Sequence, residues 1–214
     1  MKKKPCFFGV GTAVVTPFLD GKIDTVNDEM VSGVGIRAFI GTRTVYATTT
    51  DVTRSGLVRC ARAVADALGE SNAQVSINLT ERIFPNIHPV TQVPATADMK
   101  YKLDLLKSAC TTAKNYHESI VQVGGTLLTV DHSILVANSE GLYTTDRHIR
   151  TRMAVNAVAS NGKENQSGSC APGRGMGLEV FDLFKPEDIG HEADNYSFKP
   201  HPQDRTQFTN EPED

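Results

Sequence analysis

Ser119-Ile-Val-Gln-Val-Gly-Gly-Thr-Leu-Leu-Thr-Val130 opens the stretch that decides the fold, and Ser133-Ile-Leu-Val-Ala137, Leu142-Tyr-Thr-Thr-Asp-Arg-His148 and Arg150-Thr-Arg-Met-Ala-Val-Asn-Ala-Val-Ala159 continue it. Each piece is rich in β-branched residues and carries its apolar side chains at period two, the mark of strands with one buried face. Asn138-Ser-Glu-Gly141 and Asn161-Gly162 are turn sequences, the second a strong hairpin signal. Strands are therefore expected over 119–130, 133–137, 142–148, 150–159, 164–170 and 176–184, forming an antiparallel meander. Met153, Val155 and Val158 are the inward residues expected of the fourth.

Upstream the period lengthens. Met99, Leu103, Leu106, Cys110 and Ala113 recur at helical spacing, so a helix is expected over 98–116 with Asp98 as its cap. Another amphipathic helix follows Asp51, which sits where an N-cap belongs, with Leu57, Cys60, Ala61, Val64 and Leu68 on one stripe and Gly69 as its stop. Before it, Val34, Ile36, Ala38 and Ile40 share one face of a strand, and Gly41-Thr-Arg43 turns into a second strand over 44–49, making a hairpin. A first short strand over 9–18 ends at Pro17 and the Asp20-Gly21 turn. Residues 71–97 carry Pro85, Pro89 and Pro94 and read as a long irregular connection. Pro186-Glu-Asp188 suits a helix start, with acids near its positive end. From Asn195 the chain is polar and reads as disordered. The fold class is α+β: a hairpin-plus-helix unit, then a helix with an antiparallel sheet.

Composition narrows the partners. Twenty-two Lys and Arg against 25 Asp and Glu give a net charge of -3, and the basic residues are scattered, so nothing favours nucleic acid. No apolar run reaches the ~18 residues of a spanning helix. Lys2 to Lys4 before an apolar stretch imitate an export signal, but Gly9, Gly11 and Pro17 interrupt it and no small-x-small cleavage site follows. Cys6, Cys60, Cys110 and Cys170 are far apart and form no metal knuckle or disulfide framework, which fits reduced thiols in a cytoplasmic protein.

Few residues pattern as a site. His191-Glu192 needs a second histidine one turn on to grip zinc, and Asn195 and Tyr196 occupy those places. His201 is too distant and follows Pro200. The glycine-rich run from Asn161 to Gly177 could cradle an anion, yet it lacks the spacing of a phosphate loop and reads better as hairpin turns. Cys170 has no base tied to it, His117-Glu118 lacks a further ligand, and Tyr143 to Asp146 lies on a strand without catalytic spacing. No catalytic, cofactor-binding or metal residue is assigned.

Two family resemblances complete the reading. Pro5-Cys-Phe-Phe-Gly-Val-Gly-Thr-Ala-Val-Val-Thr-Pro-Phe-Leu-Asp-Gly-Lys-Ile-Asp24 resembles the opening of dihydrodipicolinate synthase, a barrel enzyme that works through a lysine Schiff base. Ala47-Thr-Thr-Thr-Asp51 departs from the segment that should follow, and the family's lysine and tyrosine have no counterpart. Over a much longer span the chain is similar to TldD/PmbA-type metallopeptidases. The landmarks are Gly33-Val-Gly-Ile-Arg37, Thr44-Val-Tyr-Ala47, Val136-Ala-Asn-Ser-Glu-Gly141, Arg150-Thr-Arg-Met-Ala-Val155, Gly162-Lys-Glu-Asn-Gln166 and Gly175-Met-Gly-Leu-Glu-Val180, in family order. This resemblance implies a peptide-processing zinc enzyme of paired subunits, whose H-E-x-x-x-H helix lies in a C-terminal domain beyond the likeness.

It also suggests a layout of 1–26 as a synthase-like piece, 27–97 and 98–194 as two family-like domains, and 195–214 as a disordered tail. A truncated or joined reading frame would explain both ends. The expected role is the non-catalytic N-terminal portion of the peptidase, with a TldD/PmbA-type partner subunit and no zinc of its own. A Schiff-base lyase fragment and a non-catalytic exported binding protein are the alternatives.

Overall fold

In the computed structural model the described residues are 6–23, 27–69, 76–87 and 89–198. They contain nine strands and four helices, and the α+β expectation holds. The strands are β1 (Cys6–Leu19), β2 (Lys22–Ile23), β3 (Asn27–Ile40), β4 (Arg43–Thr49), β5 (Thr80–Glu81), β6 (Ile120–Ala137), β7 (Leu142–Ser160), β8 (Asn165–Cys170) and β9 (Gly173–Arg174). The helices are α1 (Arg54–Leu68), α2 (Met99–Lys114), α3 (Val180–Leu183) and α4 (Pro186–Phe198). Two compact units divide the chain: Met1–Thr12, Glu29–Ile87 and Val130–His148 form the first, and Ala13–Asp28, His88–Thr129 and Ile149–Asp214 the second.

In the first unit β3 and β4 form the expected hairpin, with Val34 opposite Thr49, Ile36 opposite Ala47 and Ala38 opposite Val45. α1 packs on β4 and buries Cys60 and Val64. On Arg37's side of the hairpin, its guanidinium lies 5.0 Å from the Tyr46 ring centre, a cation–π pair across the strands. The cap of α1 differs from expectation. Thr53 is the N-cap, its hydroxyl accepting from the Gly56 N–H at 3.2 Å, while Asp51 braces Thr53 from outside. Gly69 ends the helix in the left-handed region at φ 71°, where a glycine has no Cβ to clash.

The first unit also corrects the reading of 71–97 as wholly irregular. β5 pairs in parallel with the start of β7, the Thr80 and Arg82 N–H groups donating to Gly141 and Tyr143 carbonyls. Around it, residues 76–87 are all exposed.

In the second unit α2 and α4 pack together, and α4 packs on β8. Asp98 caps α2 as expected, accepting from the Lys100 N–H at 3.0 Å. Leu106, Ala109, Cys110 and Ala113 of α2 meet Val123 and Leu127 of β6 and Met153, Val155 and Ala157 of β7 in one core cluster. Gly125 lets α2 approach the sheet, because a Cβ there would run into Cys110 Sγ and lie 2.9 Å from Leu106 Cδ1. Beyond Leu19, Asp20-Gly21 turns β1 into antiparallel β2 instead of feeding a helix, as the first strand of a barrel would.

Four further expectations are corrected here. The pairs 119–130 with 133–137 and 142–148 with 150–159 are each one continuous strand, β6 and β7. Along β7 the buried residues are Ile149, Thr151, Met153, Val155, Ala157 and Ala159, so Val158 falls on the other face by parity. Residues 176–184 form tight turns and α3 instead of a strand. α4 continues to Phe198, so 195–198 are helical; the remainder of the expected tail, 199–214, lies outside the described residues.

Candidate functional site

The glycine-rich segment that could have held an anion is occupied by the chain's own groups. Asn161 Oδ1 accepts from the Lys163 and Glu164 N–H groups at 2.9 and 2.8 Å, closing the β7–β8 hairpin. Further on, the Glu179 carboxylate takes the place of a ligand. It accepts from the backbone N–H groups of Thr91 at 3.3 Å, Gln92 at 2.9 Å and Gly177 at 3.0 Å. Burial raises the Glu179 pKa, but backbone donors outweigh it and hold the group below its ordinary value. Gly177 must be glycine for this staple: a Cβ there would collide with the Gln92 carbonyl and lie 2.6 Å from Glu179 Oε2.

His191 and Glu192 sit on α4 and are both engaged. The His191 ring meets the Tyr116 ring edge-on at 5.5 Å, and Glu192 Oε2 accepts from Cys170 Sγ at 3.2 Å. A cleft of about 260 Å³ lies beside this pair, lined by Pro172, Leu183, Phe184, Asp188 and Ile189. Burial, then the Glu192 hydrogen bond and charge, push the Cys170 thiol up to about 11. A nucleophilic cysteine needs the opposite shift, so Cys170 stays a protonated thiol at neutral pH. Cys110 is pushed up to about 12 by burial and is equally inert.

The other candidates hold local structure. His117 Nδ1 accepts from the Ser119 N–H at 3.1 Å and lies 2.8 Å from the Ser119 hydroxyl, fixing the exit from α2. Asp146 accepts from the Arg147 N–H and pairs with His148 Nε2 at 2.7 Å; the His148 contact leads in holding its carboxyl below the usual range. Arg147 makes a two-pronged bond to Asp131 across β6 and β7 at 2.8 and 2.5 Å. Among the described residues no three His, Cys, Asp or Glu side chains converge as metal ligands would.

Two groups escaped the sequence reading. Glu179 gave no signal, because its donors lie up to 88 residues away. Asp194 gave a faint one: it falls on the α4 stripe with Ile189, Gly190, Ala193 and Ser197, the positions the helix buries. It is wholly buried, and neither carboxylate oxygen has a hydrogen-bond partner among the described residues.

Known proteins show matching architecture. The model of the PmbA/TldA metallopeptidase central domain matches residues 93–196, and that of PmbA/TldA metallopeptidase domain 1 matches residues 18–68. A metalloprotease TldD homolog from Haemophilus influenzae is 23% identical over 167 residues, covering 76% of this chain and 34% of the relative. Among solved structures, a candidate modulator of a DNA gyrase from Thermotoga maritima superimposes with a TM-score of 0.71 at 16% identity, covering 91% of this chain and 44% of that one. Its counterpart from Bacteroides thetaiotaomicron gives 0.73 at 12% identity, covering 92% and 45%. TldE from Thermococcus kodakarensis gives 0.60 at 14% identity, covering 91% and 44%. The chain thus spans about a third of the curated relative it matches and under half of each of these structures. No helix among the described residues is long and apolar enough to cross a membrane.

Proposed function

We propose, from the premise that this chain belongs to the TldD/PmbA metallopeptidase family, that it is the non-catalytic N-terminal and central portion of such a peptidase. The observation that carries the reading is the fate of the chemically capable side chains. Cys170 is tied to Glu192, His191 is packed on Tyr116, His117 closes a helix end and Glu179 is bound by backbone amides. Each is engaged by the chain's own groups. Peptide hydrolysis in this reading belongs to parts of the family's longer proteins that the chain does not match. The division into 27–97 and 98–194 is retained as part of it, and so is a cytoplasmic setting, which suits the free thiols of Cys60, Cys110 and Cys170.

What remains for the chain is contact. Ile83, Phe84 and Ile87 are 87%, 66% and 77% exposed in one short segment, far more apolar surface than a lone surface residue presents. We assign that segment to a TldD/PmbA-type partner subunit. The test of catalysis is zinc content and peptide cleavage by the purified 214-residue protein: neither is expected, and stoichiometric zinc with chelator-sensitive cleavage overturns the reading. The test of contact is co-expression with a full-length TldD/PmbA-type subunit. Co-elution lost on Phe84→Ser supports the assignment, and co-elution that ignores Ile83→Ser and Phe84→Ser together removes it.

A further inference from the structure

We propose that the C-terminal half of α4 is a proton-dependent latch, seated while the Asp194 carboxyl is neutral and released when it ionises.

Asp194 is 0% exposed, on the face of α4 that carries Ile189 and Ala193 into the apolar core. Both of its carboxylate oxygens lack a partner among the described residues; the Ser197 hydroxyl bonds the Asp194 backbone carbonyl instead, at 2.8 Å. Among the described residues an ionised carboxylate in that position finds no donor to hold its charge, so the folded arrangement favours the neutral acid. Ionisation then requires the helix to lift far enough for water to reach the group. Proton loss and unseating become one event.

Among the described residues the neighbours supply no compensating charge. On α2, Ala109, Thr112 and Ala113 lie against Gly190, one turn before Asp194. Ser108 of α2 donates to Glu187, and Lys114 Nζ is directed to the Ile120 and Val121 carbonyls. Tyr116, past the end of α2, meets the His191 ring and donates to Asn195 Oδ1 at 3.1 Å. On β8 the ionisable group is Cys170, which donates to Glu192. The charged residues of α4 itself are Glu187, Asp188, His191 and Glu192, and none bonds Asp194. Burial alone pushes its pKa up, to about 7.

The sign follows. The unfolded chain titrates this carboxyl at its ordinary 3.8 and the folded chain at about 7, so the fold binds the proton more tightly. Its contribution is complete below pH 3.8, declines as pH rises through the interval, and is gone above about 7. The lowered carboxyl of Glu187, held chiefly by Ser108, acts in the opposite sense and at more acid pH.

The experiment is hydrogen exchange of the purified protein at pH 5 to 8.5, with each amide's rate divided by its intrinsic rate at that pH. Protection across 194–198 should fall about tenfold per pH unit from pH 5 to 7 and then level off, while α2 and β7 stay constant. Asp194→Asn keeps the shape without the ionisation and should flatten the profile. Constant wild-type protection from pH 5 to 7, or an unchanged slope in the Asn variant, overturns the proposal. Should that variant not fold, the carbon-13 shift of the Asp194 carboxyl decides: a midpoint near neutrality supports the latch, and one in the ordinary carboxylate range removes it.

Discussion

The two units of this protein differ in how they are held together. The second has a contiguous core, in which Leu106, Leu127, Met153 and Val155 are almost wholly buried and contributed by α2, β6 and β7. The first buries Val34, Cys60 and Val64 among its apolar side chains and leaves Met30, Val31, Ile83, Phe84 and Ile87 exposed. Both carry the backbone pattern of a sheet with a covering helix, so hydrogen bonding does not separate them. Burial does. Apolar area removed from water contributes about 25 cal/mol per Å², and the first unit removes little. The second unit therefore draws its stability from a core of its own, whereas the first leaves more of its apolar surface in water.

The largest effect should come from the second unit's core. Leu106→Ala or Met153→Ala is expected to cost about 2–5 kcal/mol in denaturant unfolding, whereas Val34→Ala in the first unit should leave the main transition nearly unmoved. Equal losses would erase the contrast between the units.

Next is the Glu179 staple. Glu179→Ala leaves the Gln92 amide and the buried Gly177 amide without their carboxylate acceptor and should cost about 1–3 kcal/mol. Gly177→Ala should destabilise for steric reasons. Because the folded carboxyl lies below its ordinary 4.5, its contribution is present above that value and is lost as pH falls through the folded one. Thermal melts between pH 3 and 7 should show a larger acid loss in the wild type than in Glu179→Gln.

A smaller effect is expected from the cap of α1. Thr53→Ala should cost about 1 kcal/mol and loosen α1 selectively, read as faster exchange of its first-turn amides. Smallest in stability is the exposed segment. Ile83→Ser with Phe84→Ser should shift unfolding by less than about 0.5 kcal/mol in denaturant titration. A clear loss of stability would mean that these residues support the first unit from within.

Much of this architecture was legible because it is local. The β3–β4 hairpin, α1 and α2 follow from period, cap and turn residues within a few positions of each other, and Asp98 and Gly69 do what those residue types do at helix ends. The errors were also local in origin. Asp131 and His132 interrupted the apolar alternation and read as a gap between strands. In the fold, Asp131 is the cross-strand partner of Arg147, and a polar pair on an exposed face does not stop the backbone ladder. Leu178, Val180 and Phe181 read as strand because they are apolar and close together. They are buried by a turn and a short helix, which the Glu179 staple bends into place.

By itself the sequence determined most of the element types, the α+β class, the family likeness and the lack of a second histidine beside His191-Glu192, since each rests on residue order alone. Tertiary structure decided which carboxyls matter. Glu179 gains its donors from residues 87 and 88 positions away, and Asp194 loses water because α4 lies on α2 and β8. The physical reason is that propensity and capping act over a few residues of chain, whereas desolvation depends on everything that surrounds a group in space.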